Sequence, residues 1–166
     1  MIITLGLSKI EVGDIAAGGG MGTTLASLGL TYQDTCKMTQ EDPETTEHYA
    51  EELDDPVVSV SRGGKTNFAF SIMNADVDTL VTLLGGTKSA AGAWEAPDKL
   101  PIIEKSVRIT PEQGLKFEIP RMKLVTKINA EFSKKGLLLL EVAGTVLAPT
   151  AAASKKMTAT PIVPAK

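Results

Sequence analysis

Cysteine and histidine are almost absent from this sequence of 166 residues, which contains only Cys36 and His48. A single cysteine cannot form an internal disulfide or supply a multi-cysteine metal site. A single histidine removes most zinc sites and most catalytic constellations. Aromatic residues make up only 4% of the chain, so we expect a core built mainly from leucine, isoleucine, valine and alanine.

Long apolar runs are also missing. No run approaches the roughly 18 apolar residues needed to cross a bilayer, so we expect no membrane partner. Residues 1–9 lack the basic and apolar regions of a signal peptide. Apolar residues at 43% and charged residues at 22% are typical of a globular domain.

Charge is distributed unevenly along the chain, whose net charge is −3. Residues 1–96 carry 14 acidic and 5 basic side chains, whereas residues 97–166 carry 6 acidic and 12 basic ones. Such asymmetry can place complementary patches at opposite ends of one molecule, although unrelated solvated charge is the simpler interpretation. The acidic total, with no aromatic residues interleaved among the bases, argues against tight binding of nucleic acid.

Alternating apolar and polar residues predict a mainly β protein. The alternation over residues 30–40 predicts a half-buried strand, in which Cys36 lies on the apolar side. Residues 41–55 contain no lysine or arginine and predict a long exposed loop, mobile unless a basic surface covers it. Its acidic residues are Glu41, Asp42, Glu44, Glu47, Glu51, Glu52, Asp54 and Asp55.

The dipeptide Gly63-Gly64 predicts a two-residue hairpin turn between strands at 57–62 and 65–73. In that register one face carries Val57, Phe68, Phe70 and Ile72 and suits the core. The other face is also apolar, with smaller side chains that suit contact with another subunit. It carries Val58, Val60, Ala69 and Met73.

One helix is predicted, with Asn74 as its N-cap and Gly85-Gly86 as its end. Apolar residues at helical spacing give it one buried face. They are Val77, Leu80, Val81 and Leu84.

Strands resume at Ile103 and continue through two hairpins. The apolar phase is odd from Leu115 to Ile119 and even from Met122 to Phe132, which predicts a β-bulge at Pro120-Arg121. In the last long strand, Leu137 and Leu139 extend the apolar surface onto a second face. We therefore predict an antiparallel β-sandwich or barrel with one flanking helix over 1–147, and an arm or tail over 148–166 that ends in a short edge strand near 157–163.

Two segments match functional motifs only in part. Residues 59–66 end in Gly-Lys-Thr as a phosphate-binding loop does, but Ser59 replaces the first required glycine and strand-like alternation follows. The glycine-rich residues 18–22 lack the full spacing of a dinucleotide-binding loop. We interpret the first segment as a tight turn and the second as a flexible connector.

Three single residues remain as candidates for chemistry. His48 lies among carboxylates that could hold a metal or act with it as a general base, but solvated acidic residues are the simpler interpretation. Cys36 has no basic neighbour on its strand face, which favours a buried, inert thiol. Trp94 either fills an edge of the core or anchors a partner. We expect no catalytic residues, no metal and no cofactor.

The order of the predicted elements is characteristic. A strand, a glycine-rich connector, a second strand, a long charged loop and a hairpin precede a helix that ends in Leu-Leu-Gly-Gly-Thr at 83–87. A bent-strand hairpin then ends in Val-Leu-Ala-Pro at 146–149. Over roughly residues 1–150 this order resembles the major tail tube proteins of long-tailed bacteriophages, which are similar to the inner-tube proteins of contractile injection systems.

That resemblance implies a structural virion protein whose hexameric rings stack into a tail tube, assembled in the host cytoplasm. Strands of neighbouring subunits would join edge to edge around a lumen, through which DNA passes without sequence-specific binding. Other tail proteins would be further partners. The long loop would contact the next ring, so its eight acidic residues are the inter-ring candidates.

Surfaces that a lone subunit leaves apolar agree with such an assembly, because strands that are apolar on both faces need a second cover. The candidates for contact between neighbouring sheets are Val58, Val60, Ala69, Met73, Leu137 and Leu139. The alternative is an Ig-like binding or adhesion module, which the absence of disulfides weakens. An enzyme ranks third, because no convincing set of nucleophile, base and cofactor is present.

Overall fold

Residues 2–162 are described by the computed structural model, and they form twelve strands and one helix. All strand pairs are antiparallel, which confirms the predicted mainly β fold with a single helix. The elements are β1 (Lys9–Gly13), β2 (Leu25–Ser27), β3 (Lys37–Gln40), β4 (Glu44–Tyr49), β5 (Pro56–Arg62), β6 (Thr66–Ile72), α1 (Val77–Leu84), β7 (Thr87–Lys88), β8 (Trp94–Glu95), β9 (Ile103–Thr110), β10 (Leu115–Ala130), β11 (Leu138–Val146) and β12 (Thr158–Pro161).

Eight strands form one bent sheet in the order β2-β1-β9-β10-β11-β6-β3, with β12 beside the first part of β10. Strand β10 is 16 residues long and turns at Pro120-Arg121, where its register with β9 shifts between Ile119 and Met122. Ile119 and Met122 are both fully buried, because the extra residue moves the core-facing phase from odd to even. The predicted β-bulge is confirmed.

The core lies inside the bend of this sheet. It combines residues of β1, β6, β9, β10 and β11 with two leucines of α1. Its members are Ile10, Val12, Leu28, Phe68, Phe70, Ile72, Leu83, Leu84, Ile103, Val107, Ile109, Ile119, Met122, Leu124, Leu140 and Val142. Aliphatic side chains dominate, as the low aromatic content predicts.

Helix α1 begins after Asp76 and not after Asn74, so the predicted N-cap is wrong. The Asp76 carboxylate accepts a hydrogen bond of 2.8 Å from the Thr79 N–H, which is the capping geometry. Asn74 instead accepts a hydrogen bond from the Leu30 N–H and ties the preceding loop to the helix. The predicted end is confirmed, because Gly85 caps the helix with a φ of 76° that suits glycine.

The strand predicted over residues 30–40 is wrong for most of its length. Only Lys37–Gln40 is a strand, and Asp34 turns the chain just before it with a φ of 60°. An aspartate tolerates this left-handed backbone better than most residues do, so the turn interrupts an alternation that reads as continuous.

Two further predictions around residues 41–64 are also wrong. Residues 41–55 are exposed as predicted, apart from the partly buried Ala50, but they are not all loop, because they contain β4, which pairs with β5 in a separate two-stranded sheet. Strands β5 and β6 do not pair with each other across Gly63-Gly64, and neither glycine has a positive φ. Val57 is consequently 58% exposed and does not share the core face of Phe68 and Phe70.

Near the C-terminus, the predictions concern the apolar phase of β10 and an edge strand, and they are confirmed in part. Ile128 and Phe132 continue the even phase of β10 but lie outside the core, at 47% and 93% exposed. Strand β12 is the expected edge strand, paired with residues 115–118 of β10, whereas Val163 lies outside the described residues. The segment that leads to β12 rests on the glycine-rich connector, where the Ala151 N–H donates to the Gly19 carbonyl.

Candidate assembly surfaces

A two-stranded arm leaves the main sheet at β3 and β6. Pairing of β3 with β6 and of β4 with β5 follows one register, from Lys37 opposite Ala69 to His48 opposite Val58. The Glu41 N–H donates to the Lys65 carbonyl between the two sheets, so one ribbon runs from the core outward. We call residues 44–62 the β-arm. Its six-residue strand β4 is about 20 Å long at 3.3 Å per residue.

Gly64 lets the two backbone segments of the ribbon approach each other closely at the base of the β-arm. A Cβ at this position would lie 1.8 Å from the carbonyl oxygen of Glu41. Gly63 has open space around the same position. Close backbone approach, and not the predicted tight turn, is therefore the structural role of Gly64.

The eight acidic inter-ring candidates are all exposed, but they occupy three levels of the ribbon. Glu41 and Asp42 lie at the base, where Glu41 accepts a hydrogen bond of 2.8 Å from Asn67. Glu44 and Glu47 lie on β4. The other four occupy the turn between β4 and β5, and they are Glu51, Glu52, Asp54 and Asp55.

Apolar side chains accompany these acids on the β-arm. Val58 and Val60 are 50% and 48% exposed and alternate with the polar Ser59 and Ser61. The turn exposes Leu53 at 59%, and Tyr49 beside it is equally exposed. No residue of β4 or β5 is buried, so the β-arm offers apolar surface that residues 2–162 of the same copy leave uncovered.

Tyr49 is held at the end of β4 by its neighbour two residues earlier. Its hydroxyl donates a hydrogen bond of 2.6 Å to Glu47, which raises the pKa of the Tyr49 phenol. The two side chains therefore lie on the same side of the ribbon, at the outer end of the β-arm.

The six predicted inter-subunit residues do not form one surface. Val58 and Val60 lie on the β-arm, far along the ribbon from the others. Ala69 lies on the outer face of β6, opposite Ala143 of β11, beside a shallow groove of 320 Å³. Met73 follows β6 and is 36% exposed. The two leucines, Leu137 and Leu139, belong to the β10–β11 hairpin.

The end of the β10–β11 hairpin is a second projecting surface, which we call the hairpin tip (residues 131–138). Phe132 is 93% exposed there, and Leu137 and Leu138 are 45% and 38% exposed. Ser133 shapes the turn, since its hydroxyl oxygen accepts a hydrogen bond of 2.8 Å from the Gly136 N–H. In the sequence, Phe132 continues the even apolar phase of β10; its position directly before Ser-Lys-Lys-Gly is the signal for an exposed turn residue.

Five basic residues of the second half are paired with carboxylates, and they are Lys105, Arg108, Lys116, Arg121 and Lys127. Arg121 donates to both oxygens of Glu104, at 2.7 and 3.1 Å, and holds the pKa of Glu104 below its usual range. Arg108 bonds Glu118 at 2.8 Å, and Lys127 lies 2.8 Å from Glu141. Within residues 2–162, no ion pair involves the two lysines of the hairpin tip, Lys134 and Lys135.

The β-arm and the hairpin tip leave the sheet at opposite ends. In the β6–β11 pair, Asn67 lies opposite Thr145, and Ile72 lies opposite Leu140. The β-arm continues the ribbon beyond the Asn67 end, whereas the hairpin tip lies beyond the Leu140 end. One acidic projection and one basic projection therefore point away from opposite ends of the same strands.

The single candidates for chemistry lie apart from one another. His48 is exposed on the β-arm, and burial raises the pKa of the half-buried Cys36 thiol. The Trp94 indole donates 2.9 Å to the Gly85 carbonyl, so Trp94 packs on the core beside the end of α1. In the described part of the chain, no three His, Cys, Asp or Glu side chains come together as metal ligands would.

Neither the protein-family models nor the curated proteins compared with this sequence match it. No helix among residues 2–162 is both long and apolar enough to cross a membrane.

Proposed function

We propose that this protein is a structural subunit that assembles with identical copies into stacked rings, as the tail tube of a bacteriophage virion, and that it has no catalytic activity. In this proposal the tube is assembled in the host cytoplasm, joins other tail proteins and passes DNA without sequence-specific binding. The observation that carries the proposal is the β-arm, a projecting ribbon with exposed apolar side chains.

An isolated two-stranded ribbon is marginally stable in water, because it has no hydrophobic face to bury. Strands β4 and β5 pair only with each other, and no residue in either is buried. Burial of Val58 and Val60 against a partner surface would therefore stabilise the β-arm, because it would remove these apolar side chains from water. A β-arm that docks on another copy accounts for both features.

Open sheet edges support contacts within a ring. Strands β2 and β3 end the main sheet, and β12 is an exposed edge strand beside β10. Unpaired backbone N–H and C=O groups at such edges are templates for pairing with another chain. Edge pairing with identical neighbours satisfies these groups and closes a ring.

Different surfaces at the two ends of the sheet support stacking. Stacked rings meet head to tail, so the surfaces at the two ends must differ and complement each other. The β-arm is acidic and leaves one end, whereas the hairpin tip is basic and leaves the other. Paired cations such as Arg108 and Arg121 would also hold DNA weakly, which suits a channel through which DNA slides.

Negative-stain electron microscopy of concentrated protein tests the proposal. We expect rings and short tubes. A matched variant lacks residues 44–62 and joins Pro43 to Gly63, which the register places opposite each other. Within residues 2–162 the deleted strands pair only with each other, so this variant should keep its melting temperature, lose only their contribution to the circular dichroism spectrum, and lose stacked tubes.

Dispersed single particles of the wild type at every concentration would contradict the proposal. A stable monomer that bound a carbohydrate or a surface protein would favour the adhesion module. Tubes formed equally well by the deletion variant would show that the β-arm has no part in stacking.

A further inference from the structure

We propose that the hairpin tip (residues 131–138) is the surface that receives the turn of the β-arm from the next copy, with Phe132 as its anchor. This inference rests on the proposed head-to-tail stacking. It adds the docking partner of the β-arm, which stacking alone does not specify.

The hairpin tip combines exposed apolar side chains with a net charge of +1, because Lys134 and Lys135 outnumber Glu131. Phe132 exposes 93% of its surface, and Leu137 and Leu138 expose 45% and 38%. Lys134 and Lys135 follow Phe132 after Ser133, and no ion pair within the described residues involves them. Large exposed apolar surface of this kind is typical of contact sites in soluble proteins.

The turn of the β-arm has the complementary composition. Leu53 and Tyr49 are each 59% exposed and provide the apolar part. The four carboxylates of residues 51–55 provide negative charge, again without an ion pair in the part of the chain described. An aromatic anchor that meets aliphatic side chains inside a charged rim is the usual composition of a contact centre.

The hairpin tip and the turn of the β-arm are too far apart to contact each other within one copy. The β-arm leaves the β6–β11 pair beyond Asn67, and the hairpin tip lies beyond Leu140 at the other end. The β6–β11 pair separates them, so the turn of the β-arm would have to fold back along these strands to reach the hairpin tip of the same copy. The contact therefore joins two copies, and its repetition gives an open, heterologous stack.

A groove near the base of the β-arm is the competing receptor. It has a volume of 610 Å³ and is lined by core residues such as Phe68 together with the exposed Leu30 and Tyr32. Its charged residues are Lys9 and Asp34, of opposite sign, so it offers no net charge to an acidic turn. Charge complementarity selects the hairpin tip.

Disulfide cross-linking between two differently tagged copies tests the contact. The background is Cys36→Ser, which removes the single cysteine. One copy carries Glu52→Cys, and the other carries Glu131→Cys, Gln33→Cys at the groove, or Ala91→Cys on an unrelated exposed turn. Glu52→Cys and Glu131→Cys leave Leu53 and Phe132 in place, so we expect this pair to cross-link most, and Asp54→Lys with Asp55→Lys in the first copy to reduce it.

A second measurement, the protein concentration needed for assembly, does not depend on cross-linking. Phe132→Ala should raise the protein concentration needed for half-maximal assembly about tenfold, as loss of an aromatic anchor does. Leu100→Ala is the matched control, since Leu100 is 85% exposed on another loop and should leave that concentration unchanged.

The two proposals fail in different ways. Tubes that form while Glu52→Cys cross-links as well to Gln33→Cys or Ala91→Cys as to Glu131→Cys overturn this inference alone. The same holds if Phe132→Ala assembles as wild type does. Absence of any assembly by the wild-type protein overturns the stacking itself.

Discussion

The Ser106 hydroxyl donates a hydrogen bond of 2.7 Å to the carbonyl oxygen of Pro120, at the β-bulge that bends β10. The Ser106 hydroxyl oxygen in turn accepts a hydrogen bond of 2.9 Å from the Gly22 N–H in the glycine-rich connector. Ser106 is completely buried, and its single hydroxyl pairs with two backbone groups that the strand ladders leave unpaired, the Gly22 N–H and the Pro120 carbonyl. The bend of the sheet and the packing of the connector therefore depend on the same side chain.

We expect Ser106→Ala to lower the free energy of unfolding by about 1–3 kcal/mol, since it leaves two buried polar groups without partners. Urea denaturation followed by circular dichroism measures this change. Ser59→Ala is the control, because Ser59 lies exposed on β5 and its loss should cost almost nothing. Equal stability of the two variants would mean that the bend does not depend on Ser106.

We expect Gly64→Ala to disturb the base of the β-arm, because its Cβ would lie 1.8 Å from the Glu41 carbonyl oxygen. Amide hydrogen exchange should accelerate at β4 and β5 while β10 and β11 stay protected. Gly63→Ala should leave exchange unchanged, since that Cβ meets open space. Similar exchange in both variants would contradict the continuous ribbon.

These two glycines also illustrate what could be predicted from the sequence. The bulge in β10 was predictable, because the phase of its own apolar residues changes at Pro120-Arg121. The partner of β5 was not, because Gly63-Gly64 suits a tight turn locally, whereas pairing with β4 depends on contacts between distant residues. Local alternation likewise continues the even apolar phase to Phe132, although β10 ends at Ala130 and Phe132 is 93% exposed.

The pH dependence of stability should include a contribution from Glu104. Its pKa in the folded protein lies below the ordinary 4.5, because Arg121 hydrogen-bonds the carboxylate. The stabilisation is therefore present above that value and is lost as the pH falls through the folded-state pKa. In Glu104→Gln, the free energy of unfolding should fall less steeply in this acidic range. Identical pH profiles for the wild type and the variant would contradict the assignment.

Stacking should depend on charge at the turn of the β-arm. We expect Asp54→Lys with Asp55→Lys to slow assembly, more at low than at high salt, because ions screen exposed charges. Adding Lys134→Asp and Lys135→Asp should restore the rate, since opposite signs then face each other again. Lys155→Asp with Lys156→Asp is the control, because it makes the same charge change elsewhere on the surface. Light scattering follows the rate, and equal rescue by both pairs would exclude a specific contact.

Sedimentation velocity over a range of protein concentrations tests most directly whether the fold is completed by identical copies. We expect the monomer to assemble into rings and then into larger stacks as the protein concentration rises, and we expect dilution to reverse this assembly. The variant without residues 44–62 should stop at rings. A single monomeric species at all concentrations, with β4 and β5 already protected from hydrogen exchange, would contradict the account.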